Sequence, residues 1–141
     1  MSSSCIAVVG MHRSGTSLVA GLIRALGVSM GDYMVQANRT NPLGFFEDLE
    51  YVRFHQRLFR SHFKGAKVGH PDWGWTPMQA INSNDATYLT QDAKYLIRQR
   101  SGSETIWGFK DPRTTGSHYS HHLFLLEFIE NQLALPTRYI A

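Results

Sequence analysis

Two glycines, Gly10 and Gly15, enclose a short loop whose residue types suit the binding of a phosphate or sulfate group. The loop reads Gly10-Met11-His12-Arg13-Ser14-Gly15-Thr16-Ser17. Glycines let the backbone approach an anion closely, and the free N–H groups and positive dipole at the start of a helix hold the negative charge. The planar guanidinium of Arg13 can bind two oxygens of the anion at once, and Thr16 and Ser17 add hydroxyl donors. Spacing and residue types together predict an anion-binding loop.

The residue after the second glycine separates two kinds of phosphate loop. A nucleoside triphosphatase has a lysine at that position, which reaches the β- and γ-phosphates. This chain has Thr16 there, and the departure argues against hydrolysis of ATP or GTP. A purely structural role, a tight strand-to-helix turn with Ser14 as its cap, is the alternative for the loop as a whole.

A second group of charged residues follows an apolar segment later in the chain, in the order Lys110-Asp111-Pro112-Arg113. Pro112 forbids smooth continuation of a strand or helix, so this group marks the C-terminal end of a strand. Ligands collect at that end of parallel strands, which favours an active-site role for Lys110 over a plain surface position. We expect Asp111 to orient Lys110 or Arg113; in a kinase or triphosphatase it would position magnesium instead.

Short apolar runs predict strands at residues 5–9, 105–109 and 137–141. The first of these runs is apolar throughout, as in a parallel strand that is buried on both faces. Helical segments alternate with the strands. This alternation predicts a single α/β domain over residues 1–141, with a mainly parallel central sheet flanked by helices.

Four helices are expected around this sheet. The first follows the glycine loop, ends at Gly27 and has its apolar positions at Leu18, Leu22, Ala25 and Leu26. The second covers about residues 46–63, after a long loop at residues 29–44. The third ends at Gly102 and has its apolar positions at Leu89, Ala93, Leu96 and Ile97. The last covers about residues 117–133.

The composition is that of an ordinary globular domain, with 43% hydrophobic and 18% charged residues. The 14 basic and 11 acidic residues give a formal net charge of +3, and the basic residues are scattered along the chain. That pattern fits a small anionic ligand and gives no reason to expect a nucleic-acid partner. The sequence predicts no signal peptide and no membrane span, and the single Cys5 agrees with a reducing compartment. We therefore expect a cytoplasmic protein.

These motifs resemble those of the sulfotransferases that use 3′-phosphoadenylyl sulfate (PAPS). The resemblance spans nearly the whole chain and rests, in order, on residues 10–18, on residues 26–31, on Asn41, Gly44 and Glu47 in the form N-x-x-G-x-x-E, and on Trp107-Gly108-Phe109-Lys110-Asp111-Pro112-Arg113. It implies a three-layer P-loop fold and the in-line transfer of a sulfuryl group from PAPS to a hydroxyl or amine of an acceptor. It also implies that no metal is required.

The resemblance further implies roles for individual residues. The phosphosulfate of PAPS would be bound by the loop residues Gly10, His12, Arg13, Ser14, Gly15, Thr16 and Ser17. Arg13, Thr16 and Lys110 would stabilise the charge that develops on the leaving phosphate oxygen. Glu47 would be the general base that takes the proton of the acceptor, with Asp48 and Glu50 as adjacent alternatives. The structural alternative for Glu47 is a carboxylate in the first turn of a helix, which the helix dipole favours.

The same family holds the 3′-phosphate of the nucleotide with an Arg and a Ser that follow a strand resembling residues 137–141. This sequence ends there, so we expect the C-terminal part of the fold to be missing, and the 141 residues to bind PAPS weakly and turn over slowly or not at all. A P-loop nucleotide kinase or NTPase and a non-catalytic nucleotide-binding fragment are the alternative functions. The acceptor stays open among carbohydrates, lipids, proteins and small molecules, because spacing does not reveal the pocket that selects it.

Overall fold

A small parallel sheet forms the centre of the protein. The computed structural model describes residues 3–62, 87–115 and 136–140. Its strands are β1 (Ser4–Val8), β2 (Ile106–Lys110) and β3 (Thr137–Ile140). They run parallel in the order β2-β1-β3, so β1 lies in the middle. The register aligns Val8 with Lys110 on one side and with Ile140 on the other, which brings the carboxyl ends of all three strands to one edge.

Helices flank this sheet, as the sequence predicts for an α/β protein. They are α1 (Thr16–Ala25), α2 (Leu49–His62) and α3 (Thr87–Ser103), and a single 3₁₀ turn covers Pro112–Thr115 after β2. The α/β class with a parallel sheet is confirmed. The helix predicted at residues 117–133 lies outside the described residues. Within the described ranges no helix combines the length and the apolar character that crossing a bilayer requires.

Aromatic side chains attach α2 to the sheet. Tyr51 of α2 is buried and stacks on Phe109 of β2, with ring centroids 4.8 Å apart and ring planes 5° from parallel. Trp107, also buried, lies 6.3 Å from the Phe109 ring. Rings of this size bury a large apolar area and pack best in offset or tilted pairs. Helix α2 is therefore fixed along β2, next to the end of that strand.

The apolar face of α1 differs from the prediction. Its leucines point outward, with exposed fractions of 66% for Leu18, 58% for Leu22 and 84% for Leu26. The inward positions are Thr16, Ala20 and Ile23. Two of these three side chains are small, and small side chains let a helix axis approach a sheet closely. Gly21 allows a second close approach, because a Cβ there would lie 3.0 Å from the Phe46 ring.

The end of α1 agrees with the prediction. Gly27 has a φ of 91°, in the left-handed region that favours glycine. The N–H of Gly27 donates to the Arg24 carbonyl and the N–H of Val28 donates to the Ile23 carbonyl, at 2.9 and 3.3 Å. This pair of bonds is the Schellman motif, which satisfies carbonyls that the helix leaves open.

Candidate functional site

The glycine loop connects β1 to α1 and has the backbone geometry of a tight cradle. Gly10 has a φ of 146° and Gly15 a φ of 90°, and Arg13 adopts a φ of 67° although it carries a side chain. A Cβ at Gly10 would lie 2.6 Å from Cγ2 of Thr16. Only glycine fits position 10, because both the conformation and the space exclude a side chain. The backbone of the loop is strained at Arg13, and such strain is common in functional loops.

The N-terminus of α1 opens into this cradle. Gly15 is the N-cap residue, and no side chain of the described residues caps the helix. The hydroxyl of Ser14 instead donates to the Met11 carbonyl at 2.7 Å. The alternative in which Ser14 caps the helix is therefore wrong. The N–H groups at the start of a helix have no partner inside it, so they are available to an anion.

One pocket of about 280 Å³ brings together residues that are far apart in the chain. Its lining contains seven of the site residues predicted from the sequence, which are His12, Arg13, Gly15, Thr16, Ser17, Glu47 and Lys110. The other two, Gly10 and Ser14, shape the loop from within. The lining also contains Asn41, Phe45 and Pro112. Cationic and hydroxyl groups of the loop thus face the same space as a carboxylate and a lysine.

A turn at residues 38–41 places Asn41 against the glycine loop. The side-chain oxygen of Asn38 accepts hydrogen bonds from the N–H groups of Thr40 and Asn41, at 2.9 and 3.0 Å. This is an Asx-type turn, which asparagine forms readily. The amide of Asn41 then donates to the Ser17 hydroxyl at 3.3 Å, and a guanidinium nitrogen of Arg13 donates to the Thr40 carbonyl at 3.3 Å. The turn therefore closes one side of the pocket.

Glu47 lies two residues before α2, in the segment that leads from this turn to the helix. Its carbonyl accepts a hydrogen bond from the N–H of Val35 at 2.8 Å, which fixes its backbone. The preceding Phe46 adopts a φ of 54°, an unusual value for a residue with a side chain. The structural alternative for Glu47, a carboxylate in the first turn of a helix, is therefore wrong. The acidic residue of that turn is Glu50.

Two cations hold the carboxylate of Glu47. Nζ of Lys110 lies 2.6 Å from Oε1 of Glu47, and a guanidinium nitrogen of Arg113 lies 3.6 Å from Oε2. The same Nζ also contacts the Ser17 hydroxyl at 3.4 Å. Burial and the negative charge of Asp111 raise the pKa of Glu47 more than these two cations lower it, so its net pKa is above the ordinary value. Glu47 thus holds a proton more readily than an exposed glutamate does.

Asp48 and Glu50, the alternative bases, are engaged elsewhere. Both accept hydrogen bonds from Arg100 of α3, at 2.5 and 2.9 Å, and the same guanidinium also pairs with Asp32. Arg100 and Asp48 are both buried. Neither Asp48 nor Glu50 lines the pocket at the glycine loop. Of the three acidic residues, the structure brings only Glu47 to that pocket, and Arg100 ties α3 to the segment that carries it.

Asp111 lies behind the pocket and is completely buried. Its Oδ1 accepts from the backbone N–H and from the guanidinium of Arg113, both at 2.9 Å, and its Oδ2 lies 2.9 Å from Nδ1 of His55. Burial alone would raise the pKa of Asp111, but its interactions with His55 and Arg113 outweigh burial and lower the pKa. Asp111 orients Arg113, as expected. No local pattern in the sequence marks His55, whose partner is 56 positions away.

Comparisons of the chain with models of known protein families, with curated proteins and with solved structures find no match. The chemistry of the pocket therefore has to be inferred from its geometry. A helix N-terminus, Arg13 and Lys110 offer positive charge to an anion, and a buried carboxylate lies next to Lys110. Such an arrangement can bind a phosphate or sulfate group at one end and accept a proton at the other.

Proposed function

We propose that this protein is a PAPS-dependent sulfotransferase with a P-loop fold of three layers. The reaction would transfer a sulfuryl group from PAPS to a hydroxyl or amine of an acceptor. The observation that carries the proposal is the shared pocket, in which the glycine loop, Glu47 and Lys110 face the same space. A loop alone would suggest only anion binding. The added carboxylate and lysine supply the two further groups that transfer to an acceptor requires.

The anion side of the pocket fits the phosphosulfate end of PAPS. Backbone N–H groups at the start of α1 and the hydroxyls of Thr16 and Ser17 would bind its oxygens, and Arg13 would add a two-pronged cationic contact. The pocket volume of about 280 Å³ lies just below the usual range of about 300–1,000 Å³ for small-molecule sites. It suits the phosphosulfate group, with the nucleoside extending outside.

Lys110 connects the two sides of the pocket. In the structure its Nζ bridges the Ser17 hydroxyl and Glu47, at 3.4 and 2.6 Å. An incoming phosphosulfate at the helix N-terminus would compete with Glu47 for this ammonium group. Lys110 would then stabilise the charge that develops on the leaving phosphate oxygen. Its departure from Glu47 would leave that carboxylate free to accept a proton.

Glu47 would act as the general base. As the oxygen or nitrogen of the acceptor attacks sulfur, the bond from sulfur to the bridging phosphate oxygen breaks and the proton of the acceptor passes to Glu47. The products are the sulfated acceptor and adenosine 3′,5′-bisphosphate. A general base works best when its pKa is near the working pH, and the pKa of Glu47 is shifted in that direction.

The environment of Asp111 argues against a kinase or NTPase. In those enzymes an acid at the end of such a strand positions magnesium. Here both oxygens of Asp111 are engaged, by Arg113 and by His55, and the side chain has no exposed surface. The loop also has Thr16 at the position of the triphosphatase lysine.

A double-label transfer experiment tests the proposed function. The protein is incubated either with ³⁵S-labelled PAPS or with γ-³²P-labelled ATP and magnesium, each with a mixture of alcohol, phenol, sugar and amine acceptors. We expect label from PAPS to appear on an acceptor only slowly, without a need for divalent metal. Transfer or release of ³²P would support the kinase or NTPase instead. Binding of adenosine 3′,5′-bisphosphate without any transfer would support a non-catalytic binding role.

A further inference from the structure

His55 is a buried histidine on the face of α2 that points toward the end of β2. Only 2% of its side chain is exposed. Its ring packs edge-on against Phe54, with centroids 5.7 Å apart and planes at 69°. Buried histidines are usually held by a polar partner, because burial of an unpaired polar group costs free energy. The partner of His55 is Asp111, 2.9 Å from Nδ1.

Asp111 contacts both His55 and Arg113. One carboxylate oxygen faces His55, and the other receives two hydrogen bonds from Arg113, one from its backbone N–H and one from its guanidinium. Asp111 and Arg113 are both buried, so neither oxygen of the Asp111 carboxylate can exchange its partner for water without opening the structure. His55 thus contacts one oxygen of the carboxylate, and the other oxygen holds Arg113.

The guanidinium of Arg113 ends next to Glu47. The nitrogen that donates to Asp111 also lies 3.6 Å from Oε2 of Glu47. A continuous chain of polar contacts thus leads from His55 through Asp111 and Arg113 to Glu47. It starts on α2, crosses the end of β2 and finishes at the wall of the pocket.

We propose that His55 is a positioning residue for Glu47, because it orients Asp111 and thereby keeps Arg113 against the Glu47 carboxylate. This inference deepens the sulfuryl-transfer proposal and rests on it for the role of Glu47 as a base. His55 itself does not line the pocket. Its influence on the reaction would pass entirely through Asp111 and Arg113.

The charges that face Glu47 determine how its pKa should change when His55 is replaced. Lys110 and Asp111 approach it from the end of β2, and Arg113 approaches from the 3₁₀ turn. Arg113 lowers the pKa of Glu47, whereas burial and Asp111 raise it. If His55 no longer orients Asp111, Arg113 loses its fixed place at Glu47. The pKa of Glu47 should then rise.

A matched pair of substitutions tests this role. His55→Asn places an amide near the position of Nδ1, so it keeps a polar group next to Asp111, whereas His55→Gln places its amide near the position of Nε2. Both variants remove the imidazole ring. Val52→Ala, at another buried position of α2, is the control for a general loss of packing. Thermal unfolding of all three variants identifies any that fail to fold.

The main measurement is a ¹³C-NMR titration of protein labelled at the glutamate carboxyl carbons, with the Glu47 signal assigned by its loss in Glu47→Gln. We expect the pKa of Glu47 to rise by about one unit in His55→Gln and to stay near the wild-type value in His55→Asn and Val52→Ala. An unchanged pKa in a folded His55→Gln variant would overturn the inference. Equal shifts in both His55 variants would also overturn it, since the cause would then be the loss of the imidazole ring and not the loss of a polar group at the position of Nδ1.

Turnover of labelled PAPS gives the second measurement. We expect His55→Gln to lower kcat by roughly tenfold to a hundredfold with little change in the KM for PAPS, and His55→Asn to restore most of it. A rise in KM with unchanged kcat would contradict a positioning role. The titration needs no ligand, so it tests the contact chain even if the protein fails to bind adenosine 3′,5′-bisphosphate. Failure to bind adenosine 3′,5′-bisphosphate would refute the proposed function but not the contact chain from His55 to Glu47.

Discussion

Nζ of Lys110 lies 2.6 Å from Oε1 of Glu47, although 63 positions separate the two residues in the chain. Lys110 is the last residue of β2, and Glu47 belongs to the segment before α2. Both side chains are buried at the wall of the pocket that the glycine loop forms. This ion pair joins the glycine-loop side of the pocket to its carboxylate.

Arg13 should contribute strongly to anion binding. A charge-assisted hydrogen bond is worth about 1.5–3 kcal/mol, so we expect Arg13→Ala to weaken binding of adenosine 3′,5′-bisphosphate by about tenfold to a hundredfold. Calorimetric titration measures the effect. Arg24→Ala is the control, because it removes the same charge from an exposed position in the last turn of α1. Equal losses in the two variants would show that net charge, and not the pocket, determines binding.

Gly10 should tolerate no side chain. A Cβ there would lie 2.6 Å from Thr16 and 3.0 Å from Ser14, and a φ of 146° strains any other residue. We expect Gly10→Ala to cost about 1–3 kcal/mol of stability and to weaken nucleotide binding. Gly102→Ala in α3 is the control, since a Cβ there meets nothing within 4 Å. Alanine favours helices over glycine by about 1 kcal/mol, so the control should match or exceed the wild type in urea denaturation.

Glu47 should be required for turnover rather than for nucleotide binding. We expect Glu47→Gln to reduce sulfuryl transfer by about 10²–10⁴-fold, the usual contribution of a general base. The affinity for adenosine 3′,5′-bisphosphate should change little. Glu50→Gln is the matched control, because Glu50 contacts Arg100 and does not line the pocket. If Glu50→Gln lost more turnover than Glu47→Gln, Glu47 would not be the general base.

The pH dependence of this activity follows from the raised pKa of Glu47. A base must be deprotonated to act, so turnover should rise with pH over a range above 4.5, the ordinary pKa of a glutamate. The same shift affects stability, because the folded protein binds this proton more tightly than the unfolded chain does. The contribution of Glu47 to stability is therefore present below pH 4.5 and is lost as the pH rises through the raised pKa. A pH–rate profile with an acid limb at or below 4.5 would contradict this.

Asp111 has the opposite shift and should stabilise the fold at neutral pH. Removing one partner of a buried charge pair costs about 3–5 kcal/mol, and we expect a loss of that size for Asp111→Asn. Because the pKa of Asp111 is lowered, its contribution is present above the ordinary value of 3.8 and is lost as the pH falls below it. The difference from the wild type should therefore shrink in acid. Asp92→Asn, which breaks an exposed pair with Arg57, should cost less than about 1 kcal/mol.

Local signals in the sequence predict much of the sheet and the loop. The apolar run of β1 and the segment before Lys110 identify two strands within one residue of their ends, although β2 lies at an edge of the described sheet. The spacing of Gly10 and Gly15 identifies the loop, and Gly27 identifies the end of α1. These features depend on conformations that few residue types can adopt, so they are visible without knowledge of the fold.

Features that depend on contacts between distant segments could not be predicted in the same way. The leucines of α1 have helical spacing, yet the small residue Ala20 faces the sheet, because helix-to-sheet distance decides which side is buried. His55 and Arg100 are ordinary polar positions in helical sequences. Their partners, Asp111 and Asp48, lie 56 and 52 positions away, and only folding brings them together.

Calorimetric titration of the protein with adenosine 3′,5′-bisphosphate, in the presence of a chelator, decides whether the pocket binds the nucleotide of PAPS. The pocket of the glycine loop, Lys110 and Glu47 should give saturable binding at one site, and Arg13→Ala should weaken it. ATP under the same conditions should compete poorly. If the wild-type protein shows no saturable binding, or binds only ATP with magnesium, it is not a PAPS-dependent sulfotransferase.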